Sequence, residues 1–243
     1  MKRFLFWVTI LLGILVGLLW WLLRRAEEEN SLFVHCAAGL RVPMSEAVEA
    51  YEKEFGVKVH LHFGGSGALA SQLQVAGGDL FVPADESYLR VADEQGLLVE
   101  EFRLVKQSAG LVVARGNPLG ILSLEDLGRE GVRVSMAERS ASVGRHAWGV
   151  LEEEGLLELI EGNVVVTKPT VNQVIEDVAT GAVDACVAWD LAAANFEGVE
   201  WVSVPEFERR PQWAGVGILR TSQEMERARH FTDFLREQKD VWR

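Results

Sequence analysis

The chain has 243 residues, of which 49% are hydrophobic and 25% are charged, and its formal net charge at pH 7 is −12. This charge argues against nucleic-acid binding, because the sequence has no basic stripe to neutralise phosphates. It does not exclude a small anion as ligand, since exposed charges are screened beyond roughly 8 Å at physiological salt and local donors decide binding.

The N-terminal segment predicts a membrane anchor. Residues 4–23 carry no charge and are numerous enough to cross a bilayer as a helix. A cleaved signal peptide would have a shorter apolar run and an A-x-A-like site, and neither is present. We therefore expect residues 1–30 to form an uncleaved anchor with a short acidic linker, a processed signal segment being the alternative. Positive charges flank both ends of the run, so they do not fix its orientation.

The first half of the body alternates between strand and helix patterns. Residues 32–37 form an apolar run typical of a buried strand, and residues 43–55 show helical periodicity that ends at Gly56. Alternation predicts a strand over residues 57–63, and a glycine-rich turn then leads into a helix that carries Leu69 and Leu73. Residues 80–82 predict a short strand.

The second half repeats this order. Strands are predicted over residues 111–114, 132–136, 164–167 and 182–189, and helices over residues 143–154 and 224–235 and in the segment that follows Thr170. Ser123 with Asp126 and Thr170 with Gln173 have the spacing of capping boxes. Cys36 and Cys186 lie in apolar strand-like runs, which favours buried thiols over a disulfide or a metal site.

Alternating strands and helices predict an α/β fold with mainly parallel sheets covered by helices on both faces. The body is long enough for one large domain or for two lobes. Ligands of such sheets bind beyond the carboxyl ends of the strands.

Four predicted strand-to-helix junctions are built of small residues or Ser and Thr. They are residues 37–40, 65–68, 140–144 and 168–171. Helix N-termini present unpaired N–H groups and a partial positive charge, so they favour anions. Ser66, Ser140 and Ser142 are candidate hydroxyl donors. Each junction taken alone is also typical of an ordinary turn or cap.

The same sequence offers two alternatives to an anion site. Ser66 on its glycine-flanked turn has the context of a hydrolase nucleophile, but the final glycine of G-x-S-x-G is missing. The only downstream histidines, His146 and His230, fall on predicted helices at positions expected to be at the surface. His60 and His62 would share one face of a strand, which is at best a two-ligand metal site. We therefore expect no catalytic residue, no metal and no cofactor.

These segments resemble the molybdate-binding proteins of ABC importers, a branch of the type II periplasmic binding proteins. Three segments carry most of the similarity: residues 32–40, residues 63–70 and residues 78–85 (GDLFVPAD), the last close to the family signature D-[LV]-[FY]-[ILV]-x-A-D. Together with residues 181–187 the resemblance spans nearly all of residues 32–236. It implies two lobes, residues 31–110 plus 212–243 and residues 111–211, that are joined by crossover strands and close on an anion.

The resemblance also implies which residues bind. The first lobe would contribute Ala38, Gly39, Gly65 and Ser66, and the second lobe would contribute the set Ser142, Val143, Val171 and Trp189. The sequence departs from the family where Gly39 replaces a common Ser or Thr and where Trp189 replaces a common Tyr.

The implied function is capture of molybdate or tungstate outside the cytoplasm, by a monomer tethered to the membrane, for an ABC permease. The alternatives are a binder of another anion, such as sulfate or phosphate, and a membrane-fixed sensor that reports the ligand to a partner.

Overall fold

The computed structural model describes residues 31–242 together with residues 15 and 17. Ten strands form two five-stranded sheets, each at the centre of one lobe. The first sheet contains β1 (Ser31–Ala37), β2 (Lys58–Gly64), β3 (Leu80–Val82), β4 (Leu98–Gln107) and β10 (Gln212–Leu219). The second sheet contains β5 (Ala109–Ala114), β6 (Val134–Ala137), β7 (Val164–Lys168), β8 (Ala185–Trp189) and β9 (Val199–Val202).

Both sheets follow the same plan. Their strand orders are β2-β1-β3-β10-β4 and β7-β6-β8-β5-β9. In each sheet the first three strands of the order are parallel, and the next two pairings are antiparallel. The prediction of mainly parallel sheets is therefore wrong: the sheets are mixed. The physical reason is that the chain passes between the sheets. It therefore enters the first sheet at β10, and the second sheet at β5, against the direction of the parallel strands of that sheet.

Nine α-helices surround these sheets in the described residues. They are α1 (Arg41–Phe55), α2 (Ser66–Ala76), α3 (Ser87–Glu94), α4 (Ser142–Glu153), α5 (Leu157–Glu161), α6 (Val171–Ala179), α7 (Asp190–Ala193), α8 (Pro205–Glu208) and α9 (Met225–Glu237). Short 3-10 turns occur at Ala38–Leu40 and Glu125–Gly128. Helix α1 ends where predicted, because Gly56 adopts φ 68° and donates its N–H to the Glu52 carbonyl.

The core lies on both faces of the sheets. On one face of the first sheet, Leu32, Val34 and Cys36 of β1 are buried in a cluster with residues of α1 and α9. On the other face, Leu69 and Leu73 of α2 are buried in a smaller cluster with residues of α3. Both sheets are thus covered by helices, which leaves the strand ends as the place where the lobes meet.

The predicted capping boxes do not form. The Asp126 carboxylate does accept the Ser123 N–H at 3.0 Å, but the Ser123 hydroxyl bonds to that same carboxylate and caps no helix. The Thr170 hydroxyl donates to the Gln173 side chain at 2.8 Å and makes no bond to the backbone of α6. At Thr170 this leaves the first N–H groups of α6 without a side-chain cap.

In the part of the chain that the structure describes, no helix is both long and apolar enough to cross a bilayer. The predicted anchor over residues 1–30 lies outside the described residues, apart from residues 15 and 17. The predicted lobe boundaries, residues 31–110 plus 212–243 and residues 111–211, stay a prediction.

Candidate functional site

The four junctions selected from the sequence converge on one small cavity between the lobes. Each follows a parallel strand, β1 and β2 in the first lobe and β6 and β7 in the second. The cavity is lined by Ala37, Ala38, Gly39, Gly64, Gly65, Ser66, Ala84, Ala141, Ser142, Val143, Thr170 and Val171. Its volume, taken as the space open to the centre of a water-sized sphere, is about 10 Å³. One water molecule requires roughly this much space. The lobes are therefore closely apposed here, and they would have to separate slightly around a tetrahedral ion, which is larger than one water molecule.

Seven of the eight predicted binding residues line this cavity. They are Ala38, Gly39, Gly65, Ser66, Ser142, Val143 and Val171. Trp189 does not line it, but its indole N–H donates to Ser142 Oγ at 3.3 Å, so the ring lies directly behind the wall. The structure thus brings the predicted residues together at one place.

The Ser140 hydroxyl and two cations near the junctions point elsewhere. The Ser140 hydroxyl donates to the Glu138 carboxylate at 3.3 Å, so it is not the pocket donor that the sequence suggested. Lys168 Nζ lies 3.4 Å from Asp177 Oδ1, and the Arg41 guanidinium lies 4.1 Å from the centroid of the Phe63 ring. None of the residues that line the cavity carries a charge.

Three helices begin at the cavity wall. Helices α2, α4 and α6 follow Gly65, Ala141 and Thr170, which are extended and provide no side-chain cap. The first N–H groups of a helix have no intrahelical partner. Three such termini directed at one cavity create a partially positive environment without any charged side chain.

Two buried hydroxyls add hydrogen-bond donors. Ser66 is 2% exposed, and its Oγ accepts the Ala84 N–H at 3.2 Å. Ser142 is 6% exposed, and its Oγ accepts the Trp189 indole N–H. Because each oxygen is already used as an acceptor, each O–H hydrogen stays available to a ligand.

The arrangement around Ser66 does not match a hydrolase. In the described residues the only hydrogen bond of Ser66 Oγ is the one with the Ala84 N–H, so no histidine base is paired with it. The prediction that His146 is a surface residue is wrong, since it is half-buried and stacks on Trp189 with ring centroids 5.4 Å apart. Burial lowers the pKa of His146, which favours the neutral form of its ring.

The remaining candidate ligand groups are accounted for within the fold. Cys36 and Cys186 are buried and free, and burial raises the pKa of both thiols. His62 contacts His35 across β1 and β2 with 3.2 Å between the Nδ1 atoms. Within the described part of the chain, no group of three or more His, Cys, Asp or Glu residues is arranged to hold a metal ion.

Several contacts of the site were not predicted. Ala84, which follows β3, lines the cavity and fixes Ser66; the only available signal was its place in the GDLFVPAD segment. The contacts that hold the lobes together were also missed. The Ser140 carbonyl, in the second lobe, accepts the Gly67 N–H at 3.1 Å and the Tyr88 hydroxyl at 2.8 Å, both from the first. Nothing in the local sequence distinguishes such residues.

Comparison with known proteins places the chain among binding proteins. A family model described as bacterial extracellular solute-binding protein matches residues 32–243. The molybdate-binding protein ModA of Mycobacterium bovis is 29% identical over 209 residues, which cover 84% of this chain and 78% of that protein.

Solved structures show the same architecture. A substrate-binding domain attributed to a molybdenum ABC transporter of Clostridium difficile has a TM-score of 0.65 and 25% identity over 87% of this chain and 95% of that one. The sulfate-binding protein SubI of Mycobacterium tuberculosis has a TM-score of 0.75 and 17% identity over 88% of this chain and 84% of that one, which shows the fold alone. The matches confirm the resemblance to molybdate-binding proteins found in the sequence.

Proposed function

Because the chain belongs to the bacterial extracellular solute-binding protein family, we propose that it captures a tetrahedral oxyanion, molybdate or tungstate, and presents it to an ABC permease. The observation that carries the proposal is the convergence of three uncapped helix N-termini on one small cavity without charged side chains. No bond is made or broken in this function.

The chemistry of the wall favours a fully deprotonated anion. Backbone N–H groups and the hydroxyls of Ser66 and Ser142 are neutral donors, and no carboxylate lines the cavity to accept a ligand proton. A protonated oxyanion would leave its O–H without a good acceptor, and an unsatisfied buried polar group is costly. The proposed ligand is therefore a dianion at neutral pH.

Relatives support both the choice of ligand and the alternative. ModA of M. bovis is named as a molybdate-binding protein, and the C. difficile domain is attributed to a molybdenum ABC transporter, which is the ground for proposing a permease as partner. SubI shares the fold and is named for sulfate. Sulfate is thus the second candidate ligand, with phosphate as a further tetrahedral anion.

We place the body of the protein on the outer side of the membrane, as a monomer tethered by residues 1–30. The family description supports an extracellular body, and the apolar run over residues 4–23 supports the tether. A tethered body is also compatible with a sensor that reports the anion to a membrane partner.

Calorimetric titration of the full chain in detergent with molybdate, tungstate, sulfate and phosphate tests the ligand. Tight binding of molybdate or tungstate with weak binding of the other two is expected. Preference for sulfate or phosphate would change the ligand and keep the binding function. Absence of heat and of thermal stabilisation with all four anions would contradict the proposal.

Deleting the gene in its host separates transport from sensing. Transport predicts loss of molybdate uptake at limiting molybdate, restored by the wild-type chain. Unchanged uptake would favour the sensor.

A further inference from the structure

At three glycines of the first lobe, an added side chain would meet the second lobe. A Cβ atom added at Gly39 would lie 2.8 Å from Val171 Cγ1, and one added at Gly65 would lie 2.7 Å from the Pro169 carbonyl oxygen. A Cβ at Gly67 would collide with the Ser140 carbonyl oxygen. None of the three has a positive φ, so the backbone itself would accept alanine. What excludes a side chain at these positions is the second lobe.

Gly39 differs from the other two because a side chain meets it. The Pro169 and Ser140 atoms are backbone, whereas Val171 Cγ1 belongs to a side chain that mutation can shorten. The next nearest atoms to the added Cβ are also in the second lobe, Ala192 Cβ at 3.6 Å and Trp189 Cδ1 at 4.0 Å. Gly39 and Val171 both line the cavity. Gly39 and Val171 are therefore a point at which the two lobes meet in the wall of the cavity.

We propose that the Gly39–Val171 contact determines the size of anion that the pocket selects. The missing side chain at position 39 lets the Val171 side chain occupy the space of a Cβ, and the lobes then close around a small cavity. A larger residue at position 39 holds the lobes apart, and a smaller residue at position 171 leaves extra room. This inference rests on the proposed function and names the pair of residues that governs its specificity.

A steric rescue experiment tests the pair. The full chain and its Gly39→Ala, Val171→Ala and Gly39→Ala/Val171→Ala variants are titrated with tungstate, molybdate and sulfate. Overpacking makes Gly39→Ala bind every anion at least about tenfold more weakly. The double variant recovers to within about threefold of Val171→Ala, because removal of Cγ1 makes room for the new methyl group. Val171→Ala alone shifts the ratio of affinities towards the larger tungstate and molybdate over sulfate.

Gly162→Ala is the matched control. Gly162 has φ −64°, and a Cβ added there meets nothing within 4 Å. The affinities of the Gly162→Ala variant for the three anions should therefore equal those of the wild type. Thermal unfolding of each variant verifies that it is folded. If Gly39→Ala does not fold, the double variant tests the contact, because the proposal predicts that it folds and binds.

The outcomes separate the two proposals. If the wild type binds and Gly39→Ala binds equally well, the size-limiting contact is overturned. The same holds if Gly39→Ala binds more weakly and the added Val171→Ala change does not restore its affinity. In both cases the binding function still stands. A wild-type chain that binds none of the anions overturns both.

Discussion

At the scale of single residues, the site depends on two serines whose oxygens are already engaged. Ser66 Oγ accepts from the Ala84 backbone and Ser142 Oγ accepts from the Trp189 ring. Each oxygen is therefore held in place at the cavity wall before a ligand arrives, with its O–H hydrogen available for donation. Such preorganisation lowers the cost of binding, because the donor does not have to be reoriented.

Replacing Ser66 by alanine should weaken anion binding by about 1–3 kcal/mol, the range for losing a hydrogen bond to a charged group. The change also leaves the Ala84 N–H without its acceptor. Titration calorimetry with molybdate measures the loss. Ser71→Ala is the control, since its exposed hydroxyl bonds only to the Gly67 carbonyl within the same helix. Equal dissociation constants for Ser66→Ala and the wild type would remove Ser66 from the site.

The sequence predicts the residues of the site better than it predicts their orientation. Small residues and serines at helix starts are visible locally, and that is why Gly65, Ser66 and Ser142 could be selected. Ser140 was selected by the same rule, yet its hydroxyl turns to Glu138. The direction of a side chain depends on its tertiary neighbours, which local spacing does not contain.

At the scale of elements, the strands that carry local periodicity were predictable, whereas β4, β9 and β10 were not. In the edge strand β4, exposed residues alternate with partly buried ones, and the strand includes Glu100, Glu101, Arg103 and Lys106. Charged residues are depleted in most strands but tolerated at edges. Pairing with β10, more than a hundred residues later, decides the structure of β4. A pairing partner so distant leaves no mark in the local pattern.

Pairing of β1 with β2 places His35 opposite His62 inside the first lobe. His35 is fully buried, its Nε2 lies 2.7 Å from the Gly77 carbonyl oxygen, and its Nδ1 lies 3.2 Å from His62 Nδ1. The ring must donate to the carbonyl through Nε2, so Nδ1 accepts from His62. Burial lowers the pKa of His35 below its ordinary value of 6.5. The hydrogen bond to the Gly77 carbonyl raises this pKa and the nearby His62 lowers it, and both effects are smaller than that of burial. The neutral ring is therefore part of the fold.

Stability should fall as the pH is lowered through 6.5. The unfolded chain protonates His35 near that value while the folded chain resists, so the unfolded state binds more protons and is favoured by acid. The slope from this one group is at most about 1.4 kcal/mol per pH unit. His146 adds to it in the same direction, because burial lowers its pKa as well.

Urea denaturation at pH 7.5 and pH 5.5 measures the effect. His35→Gln should reduce the difference in unfolding free energy between the two pH values, although the variant is less stable overall. His60→Gln on the exposed face of β2 is the control and should retain the wild-type difference. An equal pH dependence in His35→Gln and the wild type would contradict the argument.

At the scale of the whole molecule, closure of the lobes relies on contacts outside the cavity. The Tyr88 hydroxyl donates to the Ser140 carbonyl at 2.8 Å, and the Arg145 guanidinium lies 5.2 Å from the centroid of the Tyr88 ring. Arg145 also donates to Ser87 Oγ at 3.3 Å. These contacts connect α3 of the first lobe to α4 and its preceding turn in the second. Because they join the two lobes, separation of the lobes at this point would break them.

Tyr88→Phe should therefore weaken anion binding by about 0.5–1.5 kcal/mol, the net value of one neutral hydrogen bond, while the ring stays in place. Calorimetry gives the affinity, and small-angle scattering of the anion-bound protein shows whether the closed form is less populated. Tyr51→Phe is the matched control, because the Tyr51 hydroxyl bonds to His230 within the first lobe. Loss of affinity in both variants alike would indicate general destabilisation and not a contact that favours closure.

The apolar N-terminal run predicts where the molecule is held. Residues 4–23 carry no charge, and Lys2, Arg3, Arg24 and Arg25 flank them. We expect the full chain to stay with the membrane after an alkaline wash and to keep its complete mass, whereas the chain without residues 1–30 is released. Leu11→Arg/Leu12→Arg should release the full-length chain too, because each arginine at the centre of a span costs about 2.5–3.5 kcal/mol. A released wild-type protein whose mass lacks the first residues would show a cleaved signal segment, and the binding body would then diffuse freely to its partner.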